Sequence, residues 1–326
     1  MKAAVRSKYG LSEVLSVQEV ATPIPKENEV LVKVYATTVN RSDYHVLTGK
    51  PLFMRLITGL FKPSLSITGS DFAGQIEAIG KNVKSFKVGD RVMGFVDMGL
   101  KSHAQYLALP EKKIILTPVH ANYDSAVACI EGAFYALSAI TKMKPMAGQT
   151  ALVIGATGAI GSSFVQFLKY YGVSITAVCD SDNSELVKTL GAYKIIDYKT
   201  EDFTKVNEKY DLVFDAVGKY GFAKCRSLLK EQGQYSSTGG LENLYWPLIT
   251  RVLGGKKVVF AIPKNVNDGL NFIKELVEKG NFIPVIDRKY PLDKIGEAYT
   301  YVASGQKIGM LLFQWMNKKK QKTALP

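Results

Sequence analysis

At 326 residues, with 47% hydrophobic and 22% charged side chains, the chain can bury a sizeable core, predicts two domains and excludes disordered and collagen-like classes. The net charge of +13 favours anionic partners such as phosphate-bearing cofactors, acidic membrane surfaces or nucleic acid, although part of it sits at Lys318, Lys319, Lys320 and Lys322 in a tail that reads as a solvated terminus. Cys129, Cys179 and Cys225 are scattered without CxxC spacing, which excludes a zinc ribbon or disulfide framework; no leader and no run near the roughly 18 apolar residues of a membrane span are visible, so a cytoplasmic protein is expected.

Up to residue 117, short β-rich runs dominate: EVLVKVYATTVN, FAGQIEAIG, DRVMGFV, AQYLALP and KIIL. Gly, Pro, Asn and Asp punctuate them, as in an all-β, barrel-like domain. Residues 49–67, GKPLFMRLITGLFKPSLSI, are apolar and cationic, with Phe53, Leu56, Ile57, Leu60 and Phe61 close to helical spacing. Three readings stand open for them: a lid over a hydrophobic substrate site, a basic amphipathic element in weak peripheral contact with a membrane, or a helix packed on the β domain.

From ALVIGATGAIG onward the pattern alternates. SSFVQFLKYYG, SELVKTLGA and FAKCRSLLKEQG read as helices; SITAVCD, YKIIDY, YDLVFDAVG, GQYSSTGG and KKVVFAIP read as strands. Such alternation predicts βαβ units, hence an α/β fold with a Rossmann doubly wound parallel sheet. The last stretch, NFIPVIDRKYPLDKIGEAYTYVASGQKIGMLLF, supplies a strand, a helix and a closing strand that rejoin the β domain. The boundaries drawn are 1–123 with 266–326 for the β domain and 124–265 for the dinucleotide-binding domain.

Gly155, Ala156, Thr157, Gly158, Ala159, Ile160 and Gly161 carry the clearest motif. From Ala156 it fits GxGxxG with alanine at the first glycine: Gly158 lets the backbone approach a pyrophosphate, and Gly161 allows close packing of helix on strand. The alternative is a tight turn without a ligand. A strand precedes, a helix follows, and Asp180 and Asp182 close the next strand about 20 residues on, as a dinucleotide site requires. An acidic side chain there accepts from a ribose 2′-hydroxyl and favours NAD(H), although Asp180 could equally cap the next helix. Tyr198 and Lys199, after the third strand, suit the 2′-phosphate of NADP(H). The signals conflict, and the choice stays open.

The imidazoles are His45, His103 and His120, and none has a cysteine at ligand spacing, so no zinc is expected. No RNP-like, KH or finger motif supports specific nucleic-acid recognition.

EVLVKVYATTVNRSDYHVLTGK, ITGSDFAGQIEAIGKNVKSFKVGDRVMGF, SHAQYLALPEKKI, AGQTALVIGATGAIGSSFVQFLKYYG, DLVFDAVG and KIGMLLF together resemble, in order and spacing, the medium-chain dehydrogenase/reductase superfamily. The similarity is to its zinc-free quinone oxidoreductase-like branch and spans nearly the whole chain. It implies a GroES-like β-barrel domain made from both chain ends, with the Rossmann domain between them. Zinc-using relatives carry a cysteine where this chain has Asn40, and a His-Glu pair after the counterpart of Gly69, where this chain has Ser70 and Asp71.

The resemblance sets Asn40 near the nicotinamide and the substrate carbonyl, with Asp43 close by; the amide would stabilise an oxyanion, unless Asn40 is a turn or helix cap. A tyrosine of similar reductases falls at His45, next to Tyr44, and either could donate a proton. Tyr135 stands where the family has a small threonine against the nicotinamide. Val217 and Gly218 in DAVG, Thr238 and Gly239 in STGG, and Ile262 in KKVVFAIP are further candidate cofactor contacts. The last of these elements pairs subunits in related dimers, so a homodimer is expected by analogy.

The expectation is a zinc-independent NAD(P)H oxidoreductase that passes hydride to a small hydrophobic carbonyl or quinone. An alcohol dehydrogenase, or a non-catalytic dinucleotide-binding, redox-sensing or RNA-associated protein, are the alternatives.

Overall fold

The computed structural model describes residues 1–314 apart from 98, 100, 241–244 and 263. The lysine-rich tail lies outside the described residues. The chain divides into two compact units, Met1–Ile130 with the segment from Ile286, and Glu131–Val285. Both boundaries fall later than those drawn from sequence. Gly132 approaches the Ala159 carbonyl so closely that an added Cβ would lie 2.7 Å from it, and Gly269 meets the Phe134 ring in the same way, so residues 266–285 pack with the second unit.

In the first unit β1 (Lys2–Val5) pairs antiparallel with β2 (Ser16–Glu19). The main sheet contains β3 (Glu29–Val39), β4 (Asp71–Ile79), β5 (Arg91–Phe95), β6 (Tyr106–Pro110) and β7 (Ile114–Leu116), with β14 (Ile286–Pro291) and β15 (Met310–Gln314) from the other end of the chain. Its order is β14-β15-β3-β4-β5-β7, with β6 also on β3. Alternation in β3 drives this arrangement: Val30, Val32 and Val34 point inward onto Phe72, Ile76, Val92, Leu107 and Ile114. Each fully buried side chain of this kind contributes roughly 1.5–3 kcal/mol. β6 pairs with residues 29–33 of β3 and β15 with residues 36–39, so the chain's two ends share that strand.

Four helices complete the unit among the described residues: α1 (Arg41–Thr48), α2 (Arg55–Thr58), α3 (Tyr123–Ala128) and α10 (Ile295–Ser304). A second core joins Val39 and Leu47 to Ile295, Tyr299, Val302, Leu311 and Phe313. The expected closing strand therefore does rejoin the β domain. The helix suggested by the spacing of residues 53–61 is cut short: a turn at Leu52–Met54 runs into α2, which stops at Gly59, where φ is +116°.

The second unit holds a six-stranded sheet, all parallel, of β8 (Thr150–Ile154), β9 (Ser174–Cys179), β10 (Lys194–Asp197), β11 (Tyr210–Asp215), β12 (Leu229–Ser237) and β13 (Lys257–Val258). The order β10-β9-β8-β11-β12-β13 reverses between β8 and β11, which is the switch point of a doubly wound fold. Its helices are α4 (Glu131–Met143), α5 (Ala159–Tyr170), α6 (Ser184–Leu190), α7 (Gly221–Cys225), α8 (Trp246–Leu253) and α9 (Val266–Glu278).

FAKCRSLLKEQG is helical only through α7 and a short turn; Leu229 then pairs with Tyr210 and opens β12, because its buried side chain belongs to the sheet core. Residues Tyr123–Met143 are by length and composition apolar enough to cross a membrane, contrary to expectation, yet 78% of the most apolar window is buried inside the fold. The three cysteines are free and buried, and burial pushes the Cys129 thiol up to about 12 and the Cys179 thiol to about 11.

Candidate active site

In the second unit the turn after β8 is shaped by three glycines with separate tasks. Gly155 has φ +76°, which L side chains rarely adopt, and an added Cβ would lie 2.5 Å from Val217 Cγ2. Gly161 is buried, and a Cβ there would sit 2.0 Å from the Gly155 carbonyl oxygen, so α5 can pack on the turn only without one. Gly158, the N-cap of α5, has an ordinary φ of −69° and would place a Cβ near the Gly155 oxygen alone, at 3.6 Å. The fold itself therefore does not require glycine at 158, and its lack of a Cβ leaves room over the first turn. Thr157, Ala159 and Ile160 rim that space half-buried, while Ala156 is buried beneath it. The N–H groups opening this long helix favour an anion, so the turn fits the pyrophosphate of a dinucleotide.

At the end of β9 the two rivals for the ribose turn out to be partners. The Lys199 ammonium forms an ion pair with Asp180 Oδ2, and Asp180 Oδ1 accepts from the Asp182 N–H at 3.2 Å. The hydrogen bond from Lys199 holds the Asp180 carboxyl below its usual range, and Asp180 raises Lys199 in return. Asp180 thus caps the short turn Ser181–Asn183, ahead of α6. Asp182 and Tyr198 are exposed beside the pair.

Beyond β11 the buried Asp215 carboxylate organises the sheet edge. Its Oδ1 accepts from the N–H groups of Val217 at 3.1 Å and Gly218 at 2.8 Å, and its Oδ2 from that of Tyr220 at 2.9 Å. Thr238 donates its N–H to the Asp215 carbonyl at 3.1 Å, which brings the two loops together. Gly218 and Gly239 are then so close that a Cβ on Gly218 would lie 2.8 Å from the Gly239 Cα. Val217 and Ile262 expose their side chains, and Tyr135 is half-buried on α4.

The first unit carries a separate polar cluster around Asn40. Asn40 and Asp43 form a capping box at the start of α1: the Asn40 side chain accepts the Asp43 N–H, and Asp43 Oδ2 accepts the Asn40 N–H at 2.9 Å. Asn40 Nδ2 donates to Thr38 Oγ1 at 2.6 Å, and the Lys307 ammonium donates to Asn40 Oδ1 at 3.0 Å. Thr38 in turn donates its N–H and hydroxyl to the two oxygens of Asp71, at 2.9 and 2.7 Å. Beneath lies His103, fully buried, with Nε2 donating to the Thr38 carbonyl at 2.8 Å and Nδ1 accepting from the Thr68 hydroxyl at 2.8 Å. Burial lowers its pKa to about 4.

The structure thus brings Asn40 and Asp43 together with Lys307, which the sequence reading missed. The two partners are 267 residues apart, and the pairing of β15 with the end of β3 and the packing of α10 on the core beside α1 bring them together. Tyr44 and His45 share α1 but not this cluster. Tyr44 packs against the second core, and His45 is half-buried with a hydrogen bond to the Lys50 backbone. Burial, with a smaller effect of the Arg41 charge, lowers the His45 pKa.

These positions do not fit a zinc ion. The Asn40 carboxamide oxygen is held by an amide N–H and an ammonium, whose charge opposes a second cation, and both Asp71 oxygens accept from Thr38. Among the described residues no three His, Cys, Asp or Glu side chains converge as a ligand set.

Comparison with known proteins agrees with the fold. A family model described as "Alcohol dehydrogenase GroES-like domain" matches residues 26–119, and one described as "Zinc-binding dehydrogenase" matches residues 190–312. The chain is 30% identical to the 2-methylene-furan-3-one reductase of Solanum lycopersicum, over 96% of this chain and 78% of that protein. It is 30% identical to the chloroplastic NADPH-dependent alkenal/one oxidoreductase of Arabidopsis thaliana, over 96% and 79%. A solved quinone oxidoreductase from Coxiella burnetii, 24% identical, superposes over 97% of this chain and 99% of its own with a TM-score of 0.87. The chain therefore belongs to the medium-chain dehydrogenase/reductase superfamily, among its quinone oxidoreductase- and alkenal reductase-like members.

Proposed function

We propose that this protein is an NAD(P)H-dependent reductase of small hydrophobic enones, enals or quinones, working without zinc. The observation that carries the reading is Gly158: nothing in the fold demands glycine there, and the opening helix below it offers N–H groups to an anion. Relatives named as an alkenal/one oxidoreductase and a furanone reductase support the acceptor class.

The bound cofactor would supply hydride to the electron-poor carbon of the acceptor. For an enone this leaves negative charge on the carbonyl oxygen, which needs a donor or a cation. Lys307 and Asn40 form such a group: the ammonium carries the charge, and its bond to Oδ1 fixes the carboxamide. Asp43 is a positioning residue, since its carboxylate is committed to the Asn40 N–H. The carbon next to the carbonyl then takes a proton from Lys307 or from water, which completes reduction of the double bond. His45, its pKa lowered, is neutral at pH 7 and acts as a hydrogen-bond donor to the chain.

The test follows the absorbance of NADPH and NADH separately with purified protein, a panel of enones, enals and quinones, and a chelator. Oxidation that depends on acceptor and survives chelation supports the reading; binding of both dinucleotides without turnover would leave the binding-protein alternative in its place.

A further inference from the structure

We propose that the surface made by residues 50–62 docks the protein on an anionic lipid bilayer. This short segment is fastened firmly on its inner side. Met54 and Thr58 are buried, the Thr58 hydroxyl bonds the Tyr9 hydroxyl at 2.8 Å, and Tyr9 also donates to the Gly59 carbonyl at 2.5 Å. The Arg55 guanidinium lies over the Tyr9 ring, 4.7 Å from its centre, and the Ser64 N–H bonds the Thr58 carbonyl at 2.8 Å.

On the outer side the same backbone presents Leu52, Phe53, Leu56, Ile57, Leu60 and Phe61 to solvent, with Leu56 77% and Phe61 91% exposed. Scattered apolar residues are ordinary on a surface. Six large ones within ten positions, held outward by an anchored turn, form a patch that water disfavours.

The charge around the patch selects its occupant. From Tyr44 to Ser70 the sequence has no aspartate or glutamate; of its three cations Arg55 is taken up against Tyr9, and Lys50 and Lys62 are exposed. A second copy of this chain presenting the same patch would set like charges against each other, and a purely apolar groove would leave the cations unused. A bilayer with anionic headgroups answers both features: apolar side chains enter the acyl boundary while lysines stay at the headgroups. The chain's net charge of +13 adds long-range attraction to such a surface.

The experiment floats the full-length protein with vesicles of phosphatidylcholine alone or mixed with phosphatidylserine. Binding is expected to be roughly tenfold stronger to the anionic vesicles and to weaken as salt rises. The double variant Leu56→Ser with Phe61→Ser should abolish flotation while leaving Tm and dinucleotide binding as in wild type. Phe61→Trp should keep flotation and shift its added fluorescence to the blue on anionic vesicles.

Absence of flotation by the wild-type protein overturns the proposal. So does a double variant that floats unchanged, or one that loses turnover of a water-soluble acceptor yet still floats, which would make the patch a substrate surface. The exposed face of α8 serves as a control: if Leu248→Ser with Val252→Ser abolishes flotation and the residue 56 and 61 changes do not, docking belongs there. Sedimentation velocity showing a dimer that the double variant splits, with no vesicle binding, would assign the patch to self-association.

Discussion

The Lys199 ammonium is bonded to the Asp180 carboxylate across the ends of β9 and β10, so the acid that would repel a 2′-phosphate already has its charge answered. The pair is open to solvent, and a phosphate can compete for Lys199 only against Asp180. Asp180→Asn is therefore expected to raise kcat/KM for NADPH roughly tenfold with little change for NADH, and Lys199→Ala to lower it for NADPH alone. Steady-state kinetics with the two cofactors at low and high salt check this, since the gain should shrink with salt. Equal effects on both cofactors would separate the pair from the ribose.

Gly158 and Gly161 give a second contrast. Gly158→Ala places a Cβ in ordinary contact with the Gly155 oxygen, at 3.6 Å, so stability should fall by no more than about 1 kcal/mol, the loss of a favoured N-cap residue, while dinucleotide affinity falls. Gly161→Ala drives a Cβ to 2.0 Å from the Gly155 carbonyl oxygen and should lower stability by roughly 1–3 kcal/mol whether or not a ligand is present. Titration of cofactor fluorescence alongside thermal unfolding separates the outcomes.

What the sequence disclosed was what is local. The glycine turn could be read because its spacing and its flanking strand and helix are contiguous, and β3 because Val30, Val32 and Val34 alternate. Asp180 and Lys199 looked like competing cofactor signals because they follow different strands; the register that sets Asp197 beside Cys179 makes them neighbours. Leu229 read as helical because its preceding residues do, and only its pairing with Tyr210 makes it a strand. Lys307 had no local signal, since its role depends on a strand that closes the fold from the far end of the chain.

His103 makes stability depend on pH. It is neutral in the folded protein, with a pKa of about 4, whereas an unfolded histidine takes up a proton near 6.5. Between those values the unfolded chain binds more protons, so stability falls as pH drops from about 6.5 toward 4, by up to about 3 kcal/mol. Above pH 7 this contribution is fully present. Urea unfolding at pH 7.5, 6 and 5 measures the slope, and His103→Asn should flatten it while lowering stability at every pH. A slope unchanged by the substitution would assign the pH dependence to other groups.

Lys307 and Asn40 can be divided into a charge and a cap. Lys307→Met removes the ammonium and leaves the capping box of α1 in place, so Tm should change little, whereas kcat should fall by roughly 10²-fold or more if the cation meets the acceptor oxygen. KM for the dinucleotide should stay as it is, and Lys307→Arg should restore part of kcat because it returns the positive charge. Asn40→Ala, by contrast, removes the cap as well and should cost about 1 kcal/mol of stability. Asn40→Ser keeps an N-cap oxygen but withdraws the amide bonded to Thr38 and the partner of Lys307, so it should cost less stability than Asn40→Ala while its kcat follows Lys307→Met. If Asn40→Ser and Lys307→Met both turn over normally, the cluster serves only to tie the start of α1 to the segment between α10 and β15, and the charge on the acceptor must be met elsewhere.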